Sequence, residues 1–76
     1  MEELIEFVAK SLVDDAEAVN THVYSRGDQT VVELEVAQAD LGKVIGRQGR
    51  TARAMRTLLS AAGQKSRRRY TLDIVD

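Results

Sequence analysis

Seventy-six residues with no cysteine and one histidine allow one small domain, and they exclude disulfide reinforcement and thiolate or multi-histidine metal centres. The formal charge of −1, from eleven basic and twelve acidic residues, says nothing about partners until it is divided along the chain. The opening MEELIEFVAKSLVDDAEAV is acidic and broken by charge, and no apolar run approaches the roughly 20 residues of a membrane helix, so we expect no signal peptide, no membrane partner and a cytoplasmic protein.

Met1, Leu4, Ile5, Val8 and Leu12 recur at spacings of three and four, so residues 2–13 read as an amphipathic helix with acids in the first turn, where the helix dipole favours them. Asp14 and Asp15 end it. Residues 18–25 and 30–36 read as strands; in the second, Val32, Leu34 and Val36 alternate with Val31, Glu33 and Glu35. RGDQ joins them as a hairpin turn in which Gly27 supplies the positive φ. In this context RGD is a turn, not an adhesion tripeptide, and His22, with no partner acid or nucleophile in view, is a surface residue.

Asp40 is placed to cap a short helix that buries Leu41, Val44 and Ile45 and runs directly into Gly46. A longer helix begins near Arg50. Met55, Leu58, Leu59 and Ala62 give it an apolar stripe, while Arg53, Arg56 and Thr57 lie on or toward the other side. Gly63 reads as its C-terminal cap and QKSRRR as a polar loop. RYTLDIV then alternates Tyr70, Leu72 and Ile74 against Arg69, Thr71 and Asp73 as a third strand, completing an αββααβ order without linker or repeat.

The charge is strongly divided. Leu41 to Leu72 holds nine basic residues (Lys43, Arg47, Arg50, Arg53, Arg56, Lys65, Arg67, Arg68, Arg69) and no acid, a net +9 against −10 for the remainder. Such a segment attracts polyanions through counterion release while the acidic remainder keeps the protein soluble. A merely solvated basic face would read the same way.

Within that segment, VIGRQGRTARAMR interrupts helical sequence for four residues. Glycines at 46 and 49 let a sugar-phosphate backbone approach closely. The break also leaves the next helix with unsatisfied N–H groups and positive partial charge at its start, an anion site flanked by Arg47, Arg50 and Arg53. An ordinary tight helix–helix turn is the plainer alternative, and Val44, Ile45, Met55 and Leu58 read as core as readily as ligand contacts.

Embedded in LGKVIGRQGRTARAM, the Gly-x-x-Gly break resembles the signature of the KH domain, and the αββααβ order over essentially all 76 residues resembles its type II form. At this length it is most similar to small single-domain bacterial RNA-binding proteins of the KhpA type. The resemblance implies an α+β fold, residues 1–76 as one KH domain, with three helices on one face of a three-stranded mixed sheet whose last strand is parallel to its neighbour. It implies single-stranded RNA as partner, about four nucleotides in a groove. Gly46, Arg47, Gln48 and Gly49 would hold phosphates, and Gly42, Lys43, Val44 and Ile45 would come from the helix beside or beneath the groove. Arg50 and Arg53 would extend the contact. The variable loop would lie around Gln64 to Arg68, bringing Arg67 and Arg68 to the strand, with Arg69 and Thr71 reaching base edges. Few aromatic residues imply shallow sequence preference. The resemblance also allows a homodimer or a heterodimer with another KH-containing protein, and so short a chain would gain avidity from pairing.

Enzyme readings fail on spacing. A nucleotide-binding P-loop wants Gly-x-x-x-x-Gly-Lys-Ser/Thr, and a dinucleotide fold wants a strand, not a helix, before its glycines. No nucleophile–base constellation presents itself, so no reaction, cofactor or metal is expected.

Overall fold

Helix α1, Glu2–Leu12, forms where apolar residues recur at helical spacing, and it buries Ile5 and Ala9, four apart on one face. The computed structural model describes residues 1–75 of the chain. A short 3-10 turn, Ala16–Ala18, leads into β1, Asn20–Arg26, which returns as β2, Gln29–Glu35. Arg26 and Gln29 close the two-residue turn between them, with Gly27 at φ 62° in its first position as in a type II′ connection. After another 3-10 turn, Gln38–Asp40, come α2, Leu41–Ile45, then α3, Arg50–Ser66, and β3, Arg69–Val75.

The sheet order is β1-β2-β3, antiparallel between β1 and β2 and parallel between β2 and β3 from Gln29↔Arg69 to Glu35↔Val75. A parallel neighbour requires a crossover, and α2 with α3 supplies it. One core results: Ile5, Ala9, Val32, Leu34, Val36, Val44, Met55, Leu59 and Leu72 are buried together, so the three helices share one face of the sheet. This is the expected α+β architecture in the expected order.

The element ends depart from the sequence reading in ways that packing explains. Helix α3 does not stop at Gly63; it continues to Ser66, which leaves only Arg67 and Arg68 of the expected loop between α3 and β3. Gly63 is buried because β3 passes against it. A Cβ there would collide with the Arg68 carbonyl oxygen and stand 3.1 Å from Tyr70 Cδ2. The cap is Arg67, at φ 57° and ψ 39°: its N–H bonds to the Gln64 carbonyl at 3.3 Å and that of Arg68 to the Gly63 carbonyl at 2.7 Å, the Schellman pattern.

The buried stripe of α3 is Ala52, Met55, Leu59 and Gly63, whereas Leu58, expected inside, is 46% exposed. Strand β1 begins two residues later than expected and β2 one earlier, with Val19 and Val36 buried just outside them. Asp40 makes no capping bond to α2. Its buried carboxylate instead accepts the Asp15 N–H at 3.0 Å, tying the segment after α1 to the start of α2.

Candidate nucleic-acid interface

The turn between α2 and α3 is a tight one made by backbone shape. Gly46, Gln48 and Gly49 take φ values of 78°, 57° and 75°, and the Gly49 N–H bonds to the Gly46 carbonyl at 3.1 Å. The two glycines are there for different reasons. At Gly46 a Cβ would stand 2.8 Å from both Cβ and N of Thr51, so absence of a side chain lets the first turn of α3 close over the loop. At Gly49 nothing lies within 4 Å of where a Cβ would be, and the left-handed conformation alone asks for glycine. Space beside Gly49 is therefore open to a ligand, while Gly46 is occupied by the protein itself. Thr51 is a residue that the sequence reading passed over, since nothing in the spacing announces the contact.

Helix α3 begins with Gly49 as its N-cap and no side chain bonded to its first amides. The Gly49 and Arg50 N–H groups are taken by the Gly46 and Arg47 carbonyls, so what this end of α3 offers an anion is the positive partial charge of the helix head. Arg47, Gln48, Arg50 and Arg53 are exposed around it. Among the described residues, none of Arg47, Arg50, Arg53 and Arg56 pairs with a carboxylate; Arg50 reaches the Gln48 side-chain oxygen at 3.4 Å. On α2, Gly42 and Ile45 are three apart and share a side. Gly42 is bare, with no atom within 4 Å of where a Cβ would stand, and Ile45 is 37% exposed, giving a shallow apolar surface next to the cationic turn.

Other expected site residues are placed differently. Val44 is fully buried in the core, so its side chain supports α2 from beneath and offers no ligand contact. Lys43 is bound to Asp14 and, at 3.3 Å, to Asp40. Asp14 and then Asp40 hold its ammonium above the ordinary lysine range, while the Asp15 N–H, the Asp14 N–H and Lys43 hold the Asp40 carboxyl below its own. Lys43 is thus a strut between α2 and the segment after α1 before it is a cation for a ligand. The sequence reading had Asp40 only as a cap, and Asp14 lies 29 residues from Lys43, so neither partner was read from the sequence.

Arg67, Arg68 and Arg69 are exposed but stand at the other end of α3 from Gly49, about 25 Å along a 17-residue helix at 1.5 Å per residue. Tyr70 faces Gly63 of α3, so Arg69 and Thr71, its neighbours in an alternating strand, point to the opposite face of the sheet. The structure brings together Gly42, Ile45 and residues 46–53 as one surface, and separates Arg69 and Thr71 from it.

The chain matches the family model described as KhpA/KhpB, KH domain, over residues 2–74. It is 53% identical over 74 residues to the RNA-binding protein KhpA of Borreliella burgdorferi, covering 97% of this chain and 90% of that one. Identity to the protein of the same name from Treponema pallidum is 47% over 75 residues, 99% and 94% of the two chains. For that of Halalkalibacterium halodurans it is 45% over 76 residues and the whole of both. No solved structure matches significantly. Fold, turn and these likenesses agree: the chain belongs to the KhpA/KhpB family of KH domains.

Proposed function

We propose that this chain binds single-stranded RNA, holding about four nucleotides with phosphates against the open side of the turn, at Arg47–Gly49, and the start of α3. The carrying observation is that turn: the positive end of a long helix with no side-chain cap, ringed by Arg47, Arg50 and Arg53 without acidic partners among the described residues. The names of the relatives, RNA-binding protein KhpA, support the ligand class. Bases lie over Gly42 and Ile45, which carry no hydrogen-bonding side chain, so recognition there is by contact and sequence preference is shallow. The role is binding without catalysis, acting on transcripts in the cytoplasm.

Replacing Arg47 and Gln48 together by aspartate reverses the charge of the turn while both side chains remain in solvent. Anisotropy with a labelled oligouridylate is expected to show affinity falling at least tenfold with the thermal melt unchanged; equal affinity rejects the reading. A second reading, pairing with a copy of itself or another KH-containing chain, is favoured by Phe7, Val23 and Leu58, which are 70%, 46% and 46% exposed. Light scattering that stays monomeric from micromolar to millimolar concentration opposes self-pairing.

A further inference from the structure

The sheet face away from the helices carries its own pattern, which the turn between α2 and α3 does not use. Residues directly opposite one another in the register share a face, so this surface consists of rows running across the three strands. At the hairpin end the row is Arg26, Gln29 and Arg69; the next is Tyr24, Val31 and Thr71; the third is His22, Glu33 and Asp73. The rows therefore pass from cationic, through neutral and aromatic, to acidic. No helix covers them among the described residues, yet Val31 is fully buried.

The middle row is a platform. Tyr24 is 39% exposed and held in place, because the Arg26 guanidinium donates a 2.9 Å hydrogen bond to its hydroxyl and stands 5.8 Å from the ring centre. On the other side the Thr71 hydroxyl reaches back to the hairpin-end row, donating to the Gln29 side-chain oxygen at 3.2 Å. Rows two residues apart along a strand are separated by about 6.8 Å, and the outer strands by about 10 Å. A phosphate between Arg26 and Arg69 would thus set its own base over the Tyr24 ring. Among the described residues Arg69 is paired only with Asp28, at 3.7 Å with both side chains largely exposed, a contact weak enough to exchange for phosphate. Glu33 and Asp73 repel phosphate from the far rows and confine the contact to the hairpin end.

We infer that the hairpin end of the open sheet face, Tyr24 with Arg26 and Arg69, is a second contact for single-stranded RNA, stacking one base on Tyr24 and drawing its phosphate to the two arginines. It extends the proposed RNA-binding reading. A strand leaving the far end of α3 meets Arg67 and Arg68, then Arg69, with no acidic residue in that run of sequence, so the surface continues from the α3–β3 corner around the sheet edge.

The test uses the full chain with labelled tetrauridylate and dodecauridylate. Tyr24→Leu keeps apolar cover over Val31 and removes the π face; Arg26→Gln with Arg69→Gln removes the charge and leaves Tyr24. Each is expected to weaken dodecamer binding by at least about fivefold and leave tetramer binding unchanged. The turn variant with aspartates at 47 and 48 weakens both lengths, which separates failure of the sheet contact from failure of the turn. The chain has two tyrosines and no tryptophan, so Tyr70→Phe makes Tyr24 the sole emitter, and the dodecamer is expected to quench it. Unchanged dodecamer affinity in both sheet variants, with unquenched Tyr24, overturns the inference. So does a change in oligomeric state without a change in RNA affinity, which would assign the face to a second copy.

Discussion

Gly46 and Gly49 look alike in the sequence and differ in what they forbid. A methyl group at Gly46 meets both a left-handed backbone and the Thr51 side chain; at Gly49 it meets the backbone alone. Gly49→Ala is therefore expected to cost about 1 kcal/mol, the usual penalty for a side chain in that region, and Gly46→Ala at least about 2 kcal/mol once overlap is added. Urea melts of the two variants decide it, and equal losses would contradict the assignment. Asp40 offers a test by pH. The Asp15 N–H, the Asp14 N–H and Lys43 all favour its charged form, so its folded carboxyl titrates below the ordinary 3.8. A depressed carboxyl stabilises the fold above the ordinary value, and that contribution disappears as pH falls from there through the lowered folded one. Asp40→Asn should flatten the dependence of the urea midpoint on pH between about 5 and 2; identical slopes for both proteins would contradict the link. The glycines, arginines and Gln48 were legible because they interrupt a helical pattern. Thr51 and the Asp14–Lys43–Asp40 link were not, since each depends on a contact made only when separate segments pack.

Helix α3 shows where periodicity stops being informative. Its stripe of Met55 and Leu59 was readable, but Leu58 is apolar and exposed, and Gly63, with no side chain to mark it as apolar, is buried. Hydrophobicity alone cannot tell a core position from a surface one of the same type. Gly63, the apparent stop signal, is instead the point where α3 and β3 come closest. Gly63→Ala should lower stability by about 1–3 kcal/mol through overlap with the Arg68 carbonyl, although alanine is the better helix former by about 1 kcal/mol. At Arg67 the reasoning reverses: an arginine occupies the left-handed cap where glycine is at ease, so Arg67→Gly should stabilise the fold by about 0.5–1 kcal/mol, raising Tm by several degrees in a domain of this size. Thermal melts check both, and a stabilised Gly63→Ala or a destabilised Arg67→Gly would show the end of α3 misplaced. The strands, by contrast, were found to within two residues, because strict alternation in Val31–Val36 and Arg69–Val75 admits one register per face.

Across the molecule, the division of charge survives folding only in part. Lys43 and Arg69 are partnered by acids from the other half of the sequence, whereas the arginines around the turn and, at the far end of α3, Lys65, Arg67 and Arg68 have no such partner among the described residues, so unpaired positive charge stands at both ends of α3. The proposed RNA backbone site is this one: Arg47, Arg50 and Arg53, unpaired among the described residues, around the positive head of α3. Its most direct test is a titration of the labelled protein with oligouridylate, followed by amide NMR shifts. The largest movements are expected at Gly46 to Ala52, with the buried strand β2 nearly still. Saturable binding that leaves those amides unmoved and shifts another surface instead would contradict the account.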